Sequence, residues 1–456
     1  MNDKKMQEGG VDMSTMPLRW GHYRVLINSC MEQIIGAGLS TIAGVILPMM
    51  KLMEAGHTIS SFMQGVIGAS GLVGIALGST VIGRLCDRYG YASFFRASAV
   101  LILIGGLLPW LFPHTSMLIV GLFIVGLGVG GGYVLDSNYV SEIMPDRWKS
   151  FMVGVVKGSC ALGFLGVAGI CWWYLSDNPD ADLWPRLMLI MAAFGVVTLL
   201  MRIGWPDSPV WLMGMGRTQE AEKAAGRLLG PGVIVTAPPK PSAEDKATWG
   251  DMFRGENLKK VIFSGIPWAC EGVGVYGVGV FLPILVMALG IDSGTGVGME
   301  KVINSVKLTS FINFFILPGF VLGLLIVRRA SHVRMLSQGF WISAIGMGVL
   351  LAAYLLHWPV WISIASFMLF EVALNAGPHL VTYIIPAQIY SVADRGAGSG
   401  IADMLGKVGA ILGVFFMPML LDAGGVTLVL IVCIAVMVVG ALISDIFGPL
   451  VMKEGK

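Results

Sequence analysis

Lys157, Lys307 and Lys407 lie inside stretches that are otherwise apolar, and so do Glu32, Asp136, Glu271, Glu371 and Asp403. An ion at the centre of a bilayer costs about 2.5–3.5 kcal/mol on insertion scales, so such groups face an aqueous path or a partner. A carboxylate in an apolar pocket can take up and release a proton near working pH, and an ammonium can hold an anion. The chemistry these residue types fit is the passage of a polar solute, with a proton loaded and unloaded on the way. Catalysis has no comparable support: no nucleophile–base pair, phosphate-cradling loop or metal-spaced cluster stands out, so no enzyme activity, no metal site and no cofactor beyond the proton as coupling ion is expected. The six cysteines are scattered singly among apolar segments, and the six histidines do not cluster.

The elements that would position these groups follow from composition. The chain has 456 residues, 55% hydrophobic and 13% charged, with mean hydropathy +0.79. Soluble domains carry about 25% charged residues, so the solvent for most of this surface must be lipid. The net charge of +2 gives no support for a nucleic-acid partner. Apolar windows of about 20 residues place spans at 22–48, 61–84, 94–113, 116–143, 151–175, 184–204, 259–289, 302–327, 335–356, 359–388, 396–421 and 425–447. Helices are the element expected there, because lipid leaves no partner for an open backbone. The polar, proline-rich segment 205–258 divides the chain into six spans and six, and Arg217 to Leu229 reads as a short surface helix stopped by Gly230 and Pro231. The expected organisation is therefore a bundle over 1–204, a cytoplasmic linker over 205–258 and a second bundle over 259–456.

Orientation follows from the bias of Lys and Arg. One set of loops carries Arg84, Arg88, Arg96, Arg147, Lys149, Arg328, Arg329, Arg334 and Arg395, together with the linker and both ends of the chain. The opposite set carries Lys51, Arg186 and Lys301. Both termini are accordingly expected in the cytoplasm. The first eighteen residues are polar and read as no cleaved signal peptide.

After the second span comes Gly83-Arg84-Leu85-Cys86-Asp87-Arg88-Tyr89-Gly90. It resembles the Gly-x-Leu-x-Asp-Arg-x-Gly signature of the major facilitator superfamily, at its expected place. The fourth span ends in a glycine-rich run to Asp136, followed by Ser141-Glu142-Ile143-Met144-Pro145, which is similar to the fourth-helix element of the sugar-porter, metabolite-proton and phosphate-proton symporter branches. After the sixth span, Pro206-Asp207-Ser208-Pro209-Val210-Trp211-Leu212 resembles the sugar-porter Pro-Glu-Ser-Pro-Arg-Trp-Leu element, with Val210 in place of the usual arginine. Pro386-Ala387-Gln388, Asp394-Arg395-Gly396 and Gly406-Lys407-Val408-Gly409 resemble the tenth and eleventh helices of the phosphate-proton branch. The resemblance implies an all-α membrane protein with the major facilitator fold: twelve transmembrane helices in two pseudo-symmetric six-helix bundles, multi-pass in a bacterial cytoplasmic (inner) membrane.

It also distributes roles. Gly83, Asp87, Arg88, Glu142 and Arg395 fall in the gating elements, with Glu142 and Arg395 as an expected ion pair. Glu32 lies near the first-helix position that carries a proton-coupling acid, and Asp136 has a similar claim as a second proton-coupling residue. Many phosphate-proton symporters carry an acid where Gly132 stands here, one turn before Asp136. Lys157 and Glu271 fall at or near positions of sugar-binding glutamines, and Lys407 matches the lysine of phosphate symporters. With Tyr276 beside Glu271, and Glu371, Asn375 and His379 at helical spacing on the tenth span, the expected substrate-binding set is Lys157, Glu271, Tyr276, Glu371, Asn375 and Lys407. Two ions would pair poorly with a neutral pyranose. The expected function is secondary active transport by alternating access, a proton-coupled symport of a small organic anion or other charged polar metabolite. The alternatives are symport of a neutral sugar or polyol, and proton-driven efflux. The expected partners are that metabolite, protons and the lipid bilayer, with the chain acting as a monomer.

Overall fold

Long apolar runs can satisfy their backbone in lipid only as helices, and the spans of the computed structural model obey this. The structure describes residues 11–53, 59–235, 249–291, 297–327, 329–390 and 395–452, the side chains of Asp87, Ser137, Ser150 and Arg395 excepted. Segments long and apolar enough to cross a membrane run over Trp20–Met53, Ser61–Cys86, Ala92–Leu111, Thr115–Ile143, Asp146–Asp177 and Ala181–Met201 in the first half. In the second half they run over Gly255–Ala288, Met299–Ile326, His332–Leu355, Val360–Ile389 and Ala397–Val451. The last is 55 residues long, which as one straight helix would measure about 80 Å against a hydrocarbon core of about 30 Å. Gly424 and Gly425 break it with non-helical backbone, and Gly425 sits at φ 63°, a conformation that favours glycine. The break falls where the sequence pattern separates the eleventh and twelfth spans, so the fold has the twelve crossings expected.

Several spans are locally irregular. The seventh passes through a π-helical segment, Val273–Val278, that starts two residues after Glu271. The tenth is interrupted at Gly377, after which Pro378 opens the helix Pro378–Ile389, where its missing N–H removes no helical hydrogen bond.

The chain forms two compact units, one of Met1–Leu39, Val73–Gly163 and Met188–Lys240, the other of Ser40–Leu72, Phe164–Leu187 and Pro241–Lys456. In the first unit an aromatic core links the third, fourth and sixth spans: Phe95 and Tyr139 meet edge-on at 5.4 Å, and Tyr139 lies 6.3 Å from Trp205. The Pro206–Leu212 element ties these helices together. Asp207 accepts a hydrogen bond from the Ala92 N–H at the start of the third span (2.7 Å). Tyr139 donates to the Pro206 carbonyl (3.0 Å), and Ser208 caps the short helix Pro209–Gly214. A surface helix, Thr218–Leu229, follows and ends at Gly230 with φ 94°. Beyond it Val233–Ile234 pairs as a parallel strand with Val11–Asp12, and Arg19 donates to the Leu229 carbonyl (2.8 Å).

In the second unit, residues of the first, second and fifth spans pack directly on the second-half helices. A Cβ on Gly44 would strike the Val280 carbonyl, and one on Gly65 the Phe415 carbonyl. Asn313 donates to the Phe164 carbonyl (3.5 Å), and the Phe164 and Tyr276 rings lie 6.4 Å apart. Small residues permit this backbone approach where lipid offers no hydrophobic drive between helices. Overpacking such a contact costs about 1–3 kcal/mol, so Gly65→Val is expected to lower initial uptake about tenfold. Circular dichroism of the purified variant should keep the wild-type helix signal. Uptake at the wild-type rate would show that this approach is not needed for transport.

Candidate functional site

The site in the first unit is built around Arg202, which is fully buried. It terminates the sixth span, its N–H bonding back to the Thr198 and Leu199 carbonyls. Its guanidinium donates to the Phe95 carbonyl (3.0 Å) and to Asn28 Oδ1 (3.2 Å), and lies 4.5 Å from the centre of the Phe95 ring. It pairs with Glu32 and, at 3.5 Å, with Asp136. Asn28 and Glu32 are one turn apart on the first span and so point to the same side. Both carboxylates are fully buried. Asp136 also faces Glu32 itself and Ser29.

Two carboxylates thus share one guanidinium in a water-poor interior. With both acids ionised these three groups carry one net negative charge, and an uncompensated buried charge costs several kcal/mol. A single proton on the carboxylate pair removes it.

Glycine at 132 has a physical reason. A Cβ there would collide with Cγ of Glu32. The fourth span therefore cannot carry an acid at that position while the long Glu32 side chain crosses it. Asp136, one turn on, is the next residue on that face.

Lys157 is buried in the same unit. Its ammonium donates to Gln33 Oε1 (3.4 Å) and lies 5.0 Å from the centre of the Tyr133 ring. Gln33 follows Glu32 directly on the first span, so that one helix carries both the acid cluster and the lysine's partner. The fifth span is irregular just beyond Lys157, where Ser159 donates to the Val156 carbonyl (2.6 Å).

In the second unit the expected residues form a buried polar chain. Asn375 donates to Glu371 Oε2 (3.1 Å) and to the Glu371 carbonyl (2.8 Å). His379 Nδ1 is 2.9 Å from Asn375 Oδ1, and its Nε2 is 3.7 Å from Glu271 Oε1. The interruption at Gly377 places His379 toward the seventh span. Trp268 meets Tyr383 edge-on at 4.6 Å. Lys407 forms an ion pair with Asp403 one turn earlier, so its charge is offset within its own helix.

Among the gating residues, Gly83 stands against Val134 at 3.3 Å for an added Cβ, and the Arg88 guanidinium lies 5.3 Å from the Tyr89 ring. Glu142 accepts hydrogen bonds from Ser208 and from Tyr91 (3.1 Å). These partners lie within its own unit. The roles expected of the Asp87 and Arg395 side chains lie outside the described residues. Lys307, on the eighth span, reaches the Trp172 ring at 5.6 Å.

The sequence reading missed Arg202, the residue that joins the two acids. It sits beside the Trp205-Pro206 boundary and looks like an ordinary cytoplasmic end charge. Asn28, Gln33 and Tyr133, which orient the ions, carry no signal of their own in the sequence.

This geometry has relatives. A profile described as "Sugar (and other) transporter" matches residues 28–452. The chain belongs to that sugar transporter family. It is 25% identical over 97% of its length, and 95% of the relative's, to the "Inner membrane metabolite transport protein YgcS" of Escherichia coli K12. It is 23% identical to the "Arabinose-proton symporter" of Bacillus subtilis 168, covering 88% of this chain and 87% of that one. Among solved structures, the partially occluded inward-open form of the xylose transporter XylE from E. coli superposes with TM-score 0.75 at 18% identity, over 95% of this chain and 99% of that one. The fold is therefore the major facilitator fold, and this sugar transporter family member is a multi-pass membrane transporter and not an enzyme.

The charge count makes opposite predictions for two substitutions. Arg202→Met leaves two buried acids without their cation and is expected to cost about 3–5 kcal/mol of stability. Asp136→Asn leaves a one-to-one pair and is expected to keep or raise the melting temperature. Thermal unfolding of the purified variants at neutral pH checks both; equal destabilisation would contradict the count.

Proposed function

We propose that this transporter is a proton-coupled symporter of a small polar metabolite, working by alternating access. The observation that carries the reading is the pair of buried carboxylates, Glu32 and Asp136, held by the one guanidinium of Arg202. With the pair deprotonated, its one net negative charge is matched by the ammonium of Lys157, and the empty carrier can return through a closed, dry intermediate. With one proton bound, the charge of Lys157 is left over, and passage is permitted only when an anionic solute matches it. The proton then travels with the solute, because Glu32 and Gln33 are neighbours on the first span and Gln33 holds Lys157. A shift of that helix on proton binding moves the partner of Lys157.

The substrate proposed is an anionic metabolite whose acid group pairs with Lys157. The carboxylates of Glu271 and Glu371, the Asn375 amide and the His379 imidazole supply hydrogen-bonding groups for its hydroxyls. Tyr276 offers a ring face. A second reading, symport of a neutral sugar, is favoured by one observation: Lys407 is offset by Asp403, which removes one of the two amines that argue for an anion. The relative named as an arabinose-proton symporter supports it as well. The halves 1–204 and 259–456 are the moving bodies of this mechanism, joined by 205–258, in a bacterial inner membrane with both termini cytoplasmic. Gly83, Asp87, Arg88, Glu142 and Arg395 form the gates, and the unit of action is a monomer.

A thermal-shift screen against sugars, sugar acids, dicarboxylates, amino acids and phosphate identifies the ligand. With that ligand in proteoliposomes, Glu32→Gln is expected to keep solute exchange at equal pH while losing accumulation driven by a pH gradient. Accumulation at the wild-type level by this variant would contradict proton coupling through Glu32. Wild-type accumulation itself should fall as external pH is raised toward internal pH. Lys157→Gln separates the two substrate readings: it should weaken an anionic ligand about tenfold or more, through loss of a charge-assisted hydrogen bond. A neutral sugar should be affected far less.

A further inference from the structure

A cavity in the second unit, lined by none of the residues of these clusters, has a chemistry that transport does not use. The ninth span (His332–Leu355) packs beside the twelfth, and both turn apolar side chains outward: Ile342 and Ile345 on one, Leu442, Ile446 and Leu450 on the other, all exposed. On helices long enough to cross a membrane, such a face meets lipid. Between the two helices, toward the Arg334 end of the ninth span, lies a cavity of about 520 Å³. Its polar lining includes Arg334, Ser337 and Asp445, and its apolar lining Val333, Pro449 and Met452.

Asp445 is the informative residue. Its Oδ1 accepts from the Ser337 hydroxyl (2.5 Å) and its Oδ2 from the Trp341 indole N–H (3.0 Å). Both donors are neutral, so they orient the carboxylate and leave its charge in place. Among the described residues no ion pair joins Asp445 to any cation, and none joins Arg334 to any anion. Each carboxylate oxygen has further acceptor capacity. A bare carboxylate on a lipid-facing wall is costly. An indole bonded to it marks the level of the headgroups, where tryptophan is enriched. The cavity therefore has a negative pole at Asp445, a positive pole at Arg334 and apolar walls.

We infer that this cavity binds a phospholipid whose headgroup carries both a phosphodiester and a primary amine. The phosphodiester pairs with the Arg334 guanidinium, whose planar fork suits it. The ammonium donates to Asp445, completing the charge that Ser337 and Trp341 leave unmet. The glycerol end of the lipid lies over Val333, Pro449 and Met452, and the acyl chains run along the outward apolar face. An anionic glycerol headgroup brings no cation to Asp445. A trimethylammonium headgroup has no N–H to donate.

The test is native mass spectrometry of the full-length protein in detergent. It would be offered equimolar phosphatidylethanolamine, phosphatidylcholine and phosphatidylglycerol of matched acyl chains. Phosphatidylethanolamine adducts should exceed each of the others about tenfold, and Asp445→Asn or Arg334→Gln should each bring them down to the phosphatidylcholine level. Asparagine keeps an acceptor oxygen for Ser337 or Trp341, and the exposed Arg334 offers a second variant should the first fold poorly; melting curves monitor both. Equal binding of the three lipids, preference for phosphatidylglycerol, or an ethanolamine preference that survives both substitutions would overturn the inference.

Discussion

A guanidinium buried with two carboxylates constrains the first unit more than any other interaction. Burial makes each unpaired ion cost several kcal/mol, while a well-made buried pair adds little net stability over an apolar filling. The cluster of Glu32, Asp136 and Arg202 therefore does not hold the fold together by strength. It demands that the proton count match the charge count. That demand reaches into neighbouring residues: Asn28 and the Phe95 carbonyl take two further donors of Arg202, and Gly132 clears the path of the Glu32 side chain.

The surrounding unit is arranged to keep this cluster in register. Phe95 contributes its carbonyl and its ring to Arg202 and its edge to Tyr139. Tyr139 in turn holds the Pro206 carbonyl, four residues after Arg202. Asp207 anchors the start of the third span and Ser208 bonds Glu142 on the fourth. The element that resembles a sugar-porter signature thus has a local physical task. It fastens the loop after the sixth span to the third and fourth spans that surround Arg202. Val210, where the family pattern has arginine, is not one of these fastening contacts.

Much of the architecture was legible in the chain, because hydropathy reports lipid exposure directly. All twelve crossings were readable from apolar length, and the Gly424–Gly425 break fell at the start of the span assigned from 425. The surface helix ending at Gly230 was also visible from its cap. Sites were legible only along single helices. The Glu371, Asn375 and His379 spacing on one span exposed their shared face, and the structure connects them by hydrogen bonds. Contacts between spans carried no such mark. Arg202 was invisible because an arginine near a helix end looks the same whether it reaches out to water or folds inward onto two acids. Lys407 was assigned to the substrate from its match to the phosphate-symporter lysine, although the Asp403 that offsets it stood four residues earlier.

The most direct measurement is infrared difference spectroscopy of the purified transporter across a pH step, comparing wild type with Asp136→Asn and Glu32→Gln. The account predicts that the wild type shows a protonated-carboxyl band that deprotonates on the step, and that either substitution abolishes that component. A carboxyl band unchanged in both variants, or a wild type without one, would contradict the claim that these two acids share one exchangeable proton around Arg202.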